Sequence, residues 1–412
     1  MVQREQGDRA RFPWLRTPHM DRLAAEGVRF RNAFVTLPLC APSRAVFLTG
    51  RYNHLNGIAN NRTPFPADSV THSTLLRVAG YTTAYIGKWH LGNEVGMRPD
   101  TQGFDDSLLM RSVLHLPEDD PHVVNAKLAF DPIDRFLWAN GGVANSFNSD
   151  HANSFAPGGY LSDYWTDESI NVIKANKNRP FFLYLTHWGI HTPLQATKDD
   201  FEAVGNNFPN HRTRVYAAMI RAVDRSVGKL MQALKDNGLD DNTLVIFTSD
   251  NGPNVGDNEG TNQESGGLRG KKAKIWEGGH RVPFIVKWEN KIKGGRSSSN
   301  PNTLANLMAT LADITGAGSS GIDSHSIYGE LINEEHIPIV KPIIHHSSRG
   351  HFAIRKGEWK FIEKLGSGGF SPPTFVTPME GMPSHRLFNM NDDTLEVIEL
   401  SKKHPELVLA MQ

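Results

Sequence analysis

Cys40 is the single cysteine in a chain of 412 residues, and its neighbours suggest more than a packing role. It opens the segment Cys40-Ala41-Pro42-Ser43-Arg44, which runs on through Ala45-Val46-Phe47-Leu48-Thr49-Gly50-Arg51. Pro42 suits a first helical turn, the apolar run continues a helix, and Gly50 ends it. Cys40 is therefore expected at a helix N-terminus, where free N–H groups and the macrodipole favour an anion. Arg44 falls one turn later and can reach back toward position 40. A lone cysteine ahead of a helix is usually buried and inert, so other residues must decide.

Those residues stand after three short β-branched and aromatic runs. Tyr81 to Ile86 is followed by Gly87-Lys88-Trp89-His90-Leu91-Gly92, and Pro180 to Thr186 by His187-Trp188-Gly189-Ile190-His191-Thr192-Pro193. Thr243 to Thr248 is followed by Ser249-Asp250-Asn251-Gly252. Open α/β sheets bind ligands beyond the carboxyl ends of their strands. Cations, imidazoles and one carboxylate–amide pair would thus meet at a single rim, which suits an anion beside a hard cation. Each piece alone is weak: Asp-Asn-Gly is ordinarily a turn, and Lys271, Lys272 and Lys274 are ordinarily a solvated basic face.

The positioning elements follow from periodicity. Thr17 to Gly27 reads as a short helix, and Val28 to Val35 as an extended segment. The three apolar runs read as strands buried on both faces. Val215, Met219, Val223, Val227, Leu230, Met231 and Leu234 follow helical spacing within Arg212 to Asn237. Strand, helix and the strand at Leu244 make a βαβ unit, so the expected fold is α/β with a large mixed, mostly parallel sheet flanked by helices. Pro283 to Trp288 adds a strand, and Leu304 to Ile314 a helix. Beyond Gly316 to Gly321 short strands joined by turns suggest a small antiparallel domain. The expected division is 1–338, catalytic, and 339–412, a small C-terminal domain.

Lys+Arg and Asp+Glu both number 44, so no global field points to nucleic acid as a partner. Affinity for an anion must come from a local cluster. No apolar stretch is long enough for a membrane span. Met1 to Trp14 carries no apolar core of a signal peptide; a periplasmic or secreted location would require a start upstream.

The segment at Cys40, ending in Leu48-Thr49-Gly50-Arg51, resembles the maturation signature of the type I sulfatases of the alkaline-phosphatase-like superfamily. Further family blocks recur in order: Gly87 to Gly92, His191 to Gln195, Thr248 to Gly252, and Gly267 to Lys272 with Trp276 to Gly279. The resemblance implies a hydrolase of sulfate esters on a sulfated polysaccharide or oligosaccharide. It implies oxidation of Cys40 to formylglycine by a formylglycine-generating or sulfatase-maturing enzyme. Arg44 and His90 would hold the formylglycine hydrate, with His90 as base. Lys88, His191 and Lys272 would grip the sulfate, and His191 or Lys272 would protonate the leaving oxygen. Lys272 is chosen over Lys271 by its offset from Glu277. Asp250, Asn251 and the residue at position 40 would bind one calcium ion.

One departure stands out. The family carries two consecutive aspartates at the end of a first strand, shortly before the segment that here is Thr17-Pro18-His19-Met20-Asp21-Arg22-Leu23. No apolar strand and no such pair precede Thr17, and neither Asp8 nor Asp21 substitutes. The calcium site is therefore expected to be incomplete. A truncated chain, a rearranged metal site, and a relative that binds sulfated glycans without turnover all remain open. Phosphoester or phosphonate hydrolysis is a further alternative within the superfamily. Specificity is expected in the loops Arg98 to Ser162 and Phe370 to His385. Trp138, Phe147, Phe155, Tyr160 and Trp165 could stack on sugars there or pack into the core.

Overall fold

A computed structural model describes residues 15–92, 94–110, 119–126, 143–145, 159–254, 265–318, 321–332 and 341–412. Strands Val28–Phe30 (β1), Thr82–Gly87 (β2), Asp106–Met110 (β3), Val143–Asn145 (β4), Phe181–Thr186 (β5), Val245–Thr248 (β6), Phe284–Lys287 (β7) and Arg296–Ser298 (β8) form two four-stranded sheets. Their orders are β4-β3-β2-β5 and β8-β1-β7-β6. In the first, β2 runs parallel to β3 and β5, with β4 antiparallel at the edge. In the second, β7 lies antiparallel between β1 and β6, and β8 is parallel to β1. The mixed α/β character expected from sequence is present. The direction of β7 was not legible, because an apolar run looks the same read either way.

Helices Pro18–Ala25 (α1), Cys40–Thr49 (α2), His72–Val78 (α3), Leu161–Ala175 (α4), His211–Asp236 (α5), Glu277–His280 (α6) and Asn306–Thr315 (α7) surround the sheets. Alternation sorts the strand side chains into two layers. Phe181, Leu183 and Val245 face Ile173, Ala233 and Leu234 of α4 and α5. Phe182, Tyr184, Leu244 and Ile246 join the opposite layer with Ala45 and Leu48 of α2 and Leu307 of α7. Strands β5 and β6 thus feed the same two layers, yet no ladder joins them among the described residues. Every residue of β6, and all of β5 except Thr186, is only half-buried. Burial on both faces was expected here; it holds for β2, which has a partner on each side.

Local sequence explains the helix ends. Pro18 starts α1, and the carboxylate of Asp224 on α5 accepts the N–H groups of Met20 at 2.8 Å and His19 at 3.3 Å. Two orphan donors of a helix start are thereby satisfied from another helix. Gly50 closes α2 with φ 61°, and a Cβ there would meet Met308 Cβ at 2.5 Å. All residues of α2 are buried.

Ile343–His346 (β9), Phe352–Lys356 (β10), Trp359–Ile362 (β11) and Arg386–Asn389 (β12) form an antiparallel meander. Pro405–Met411 (α8) covers one face through Val408 and Met411, against Phe361 and Leu387. The other face packs Ala353, Ile362 and Phe388 on Ile275 and Trp276. Of the aromatics proposed for sugar stacking, Tyr160 and Trp165 are buried. The Tyr160 hydroxyl donates to Gln195 O at 2.9 Å. Both are core residues; Trp138, Phe147 and Phe155 lie outside the described residues, as does Asp8.

Candidate active site

Cys40 is the first residue of α2 and is fully buried. Lys272 Nζ lies 3.2 Å from its Sγ and 3.5 Å from His191 Nε2. Burial by itself would raise the Cys40 thiol. The ammonium groups of Lys272 and Lys88, with smaller help from the neighbouring His191 and His90 rings, outweigh it and hold the thiol well below its ordinary value. Four side chains from three separate loops therefore face one sulfur. Lys271, the alternative one residue earlier, is half-exposed, whereas Lys272 is buried.

Each loop is fixed from behind. At the end of β2 the carbonyl of Lys88 accepts Arg44 Nη1 at 2.6 Å, Thr186 Oγ1 at 2.9 Å and the Tyr85 hydroxyl. Arg44 also closes on Asp250 Oδ2 through Nε at 3.1 Å and Nη2 at 2.8 Å. Helix α2, the end of strand β2 and the turn after β6 are thus tied through a single guanidinium, and strand β5 joins them through the Lys88 carbonyl. Burial would lower that guanidinium; the Asp250 carboxylate outweighs it and raises it. The Lys88 ammonium is lowered, first by burial and then by Arg44 and Lys272 nearby, against the pull of Cys40. His90 sits in the left-handed region with φ 63°, an unusual pose for a side-chain-bearing residue.

The lysine loop is zipped onto the Asp-Asn turn. Lys272 N donates to Pro253 O and Gly252 N to Gly279 O, both at 2.9 Å. A Cβ on Gly252 would lie 1.9 Å from Gly278 O, so this approach requires glycine. Ala273, with φ 74°, donates its N–H to Pro38 O at 2.9 Å and so anchors the loop to the approach of α2.

His191 Nδ1 lies 2.6 Å from Thr192 O. A carbonyl only accepts, so Nδ1 carries a proton there. Burial, with Lys88 and Lys272 adding repulsion, lowers His191 to about 4. At neutral pH its Nε2 is therefore a bare acceptor turned to the Lys272 ammonium.

Asp250 and Asn251 stand together, with Asn251 Nδ2 donating to Asp250 Oδ1 at 2.7 Å. A calcium ion takes six to eight oxygens. Among the described residues no group of three His, Cys, Asp or Glu side chains is arranged to hold a metal, and Asp250 is engaged by Arg44. This set alone does not fit a calcium ion. A group bearing negative oxygens at position 40 does fit: the Cys40 sulfur marks its place among the cations at a helix start.

Sequence reasoning missed the supports. Tyr85 and Thr186 are hydroxyl residues at strand ends, and their position was the available signal. Trp188 was read only as part of a loop; its ring lies 3.9 Å from the His191 ring, and Lys88 Nζ lies over it at 4.7 Å.

The family model described as Sulfatase matches residues 8–317. The chain is similar to N-acetylgalactosamine-6-O-sulfatase of Bacteroides thetaiotaomicron, at 30% identity covering 95% of this chain and 86% of that protein. It is 31% identical to steryl-sulfatase of Mus musculus over 74% of this chain, and spans 59% of that protein's length. A crystal structure described as Ps i-CgsB superposes with a TM-score of 0.79 at 30% identity, covering 96% of this chain and 86% of that one.

Proposed function

The chain belongs to the sulfatase family and is a sulfuric ester hydrolase; we propose that it acts on a sulfated carbohydrate at the cluster around Cys40. The observation that carries this reading is the convergence of Lys88, His191 and Lys272 on a buried sulfur at a helix start. Sulfated sugar as substrate is supported by the N-acetylgalactosamine-6-O-sulfatase relative. The family carries formylglycine in place of this cysteine, made by a maturing enzyme. When hydrated, that group supplies two hydroxyls on one carbon, one to attack sulfur and one to drive release of sulfate.

The chain's own residues supply the rest. Lys88 and Lys272 cancel charge on the sulfate oxygens, where it resists attack. Lys272 protonates the leaving oxygen, because neutral His191 has its proton on Nδ1 and none to give from Nε2. His191 Nε2 then acts as acceptor to the lysine and sets its direction. His90 takes the proton whose loss drives release. Arg44 holds the Lys88 carbonyl and Asp250 in one frame. Calcium is general in the family. Asp250, Asn251 and the residue at 40 border its expected place, but they do not make up its shell, and no step here is routed through it. The described residues 341–412 of the C-terminal region serve in this reading as a brace for the lysine loop.

The test is co-expression with a formylglycine-generating enzyme, followed by ion chromatography of sulfate released from 6-O-sulfated N-acetylgalactosamine and from an aryl sulfate. Peptide mass spectrometry should show the Cys40 thiol converted to an aldehyde. Release is expected from both substrates. Tight sugar binding with no release from a fully converted chain would leave a binding protein instead.

A further inference from the structure

Trp188 follows β5 by two residues and is 2% exposed. Its indole touches two residues of the cluster around Cys40 at once. Lys88 Nζ lies 4.7 Å from the ring centroid, and the His191 imidazole lies 3.9 Å away at a tilt of 32°. We propose that Trp188 is a positioning residue, whose ring holds Lys88 and His191 in place against position 40. The inference rests on the reading of this cluster as the sulfate site.

The need for such a brace follows from the charges. Lys88 is buried beside Arg44 and Lys272, both of like sign, while Cys40 and Asp250 attract it. Repulsion would swing a flexible four-carbon stem toward open space. An aromatic face attracts an ammonium through its quadrupole and brings no competing negative charge. A carboxylate there would neutralise the charge meant for sulfate. The ring itself is well seated. Ile86, Met110, Leu161 and Trp165 form its apolar cluster. Preceding it, His187 pairs with Ser226 Oγ on α5 at 2.8 Å. Following it, a Cβ on Gly189 would lie 2.6 Å from Val223 Cγ2.

Core packing alone is the competing account, and Trp165 provides its control. Trp165 is fully buried in the same cluster, and the aromatic ring recorded against it is that of Tyr164. The probe is inorganic sulfate, titrated by calorimetry into the full chain, with turnover of an aryl sulfate measured on the matured enzyme. Trp188→Leu should weaken sulfate binding about tenfold, which is ~1.4 kcal/mol and within the range of a desolvated cation–π contact. Its kcat should fall at least as far. Trp188→Phe retains a ring face and should recover most of both. Trp165→Leu should lower the melting temperature and leave sulfate affinity unchanged. If Trp188→Leu does not fold, Trp188→Phe decides alone: about a threefold weakening at unchanged melting temperature is expected. Wild-type affinity and turnover in the Trp188 variants would overturn the proposal, as would equal weakening by Trp165→Leu. A wild-type chain that holds no sulfate would remove the anion site, and the inference with it, whatever the Trp188 variants do.

Discussion

Two charge clusters, one largely and one fully buried, lie a few residues apart along the same loop, and they are built on opposite rules. Around Cys40 cations predominate: Lys88, Lys272 and Arg44, with two imidazoles, and among the described residues Asp250 brings a carboxylate, paired with Arg44. Behind the loop the signs alternate. Lys360 on β11 lies 2.7 Å from Glu396 Oε1 and 3.5 Å from Glu277 Oε1, and donates to Ile275 O at 3.0 Å. Glu277 N donates to Glu396 Oε2 at 2.8 Å, and Arg355 approaches Glu277 at 3.8 Å. The charges of Lys360, Arg355 and Arg281 outweigh burial and hold the Glu277 carboxyl below its usual value. The second cluster is internally compensated and fixes the loop. In the first, Asp250 pairs with Arg44 while Lys88 and Lys272 add further positive charge beside Cys40, and that positive field is what a ligand anion would meet.

Breaking each cluster should therefore give opposite results. Lys360→Met leaves two carboxylates buried without their cation and should cost about 3–5 kcal/mol of stability, read from urea unfolding. A cost near zero would show that the alternating cluster is not a brace. Lys272→Ala should lower kcat about a hundredfold, ~2.7 kcal/mol, while melting temperature holds or rises because one of several like charges is gone. Loss of stability with turnover intact would reverse the comparison.

A third test separates burial from charge. His72 is enclosed by Phe47 and Phe182, with ring centroids at 4.9 and 5.2 Å, and burial lowers it to about 3. Its folded pKa lies below the ordinary 6.5, so the unfolded chain binds the proton first. The stability contribution is present above 6.5 and is lost as pH falls toward 3. Between neutral pH and pH 5 the loss from this group is about 2 kcal/mol. His72→Phe should remove that part of the slope in denaturant midpoints measured from pH 7 to 5. An unchanged slope would mean that the ring is not held neutral.

The sequence revealed most where one local rule acted alone. Helix α2 was readable from Cys40 to Gly50 because Pro42, the apolar run and the terminal glycine agree. The rim residues were readable because each follows an apolar strand. Lys272 was separable from Lys271 only by its offset from Glu277. What escaped depends on partners distant in sequence. Lys274 is 1% exposed and Lys360 is fully buried, though a lysine between apolar residues reads as a solvated position. The unpaired edges of β5 and β6, and the direction of β7, are properties of assembly and not of any one run. Trp188 looked like a loop residue because its role lies in two side chains brought to it from elsewhere.

His90, Ala273 and Glu396 are the residues other than glycine with positive φ among those described, at 63°, 74° and 55°. One faces the thiol, one follows Lys272, and one closes the alternating cluster. Such poses cost about 1–3 kcal/mol each, and glycine would relieve them. A laboratory lineage selected only for heat resistance would therefore be drawn toward glycine at His90 and Ala273, but not at Glu396, whose carboxylate holds Lys360. His90→Gly removes the imidazole proposed as base, and Ala273→Gly loosens the residue beside Lys272. Heat selection and turnover selection would pull this chain toward different sequences at the same sites.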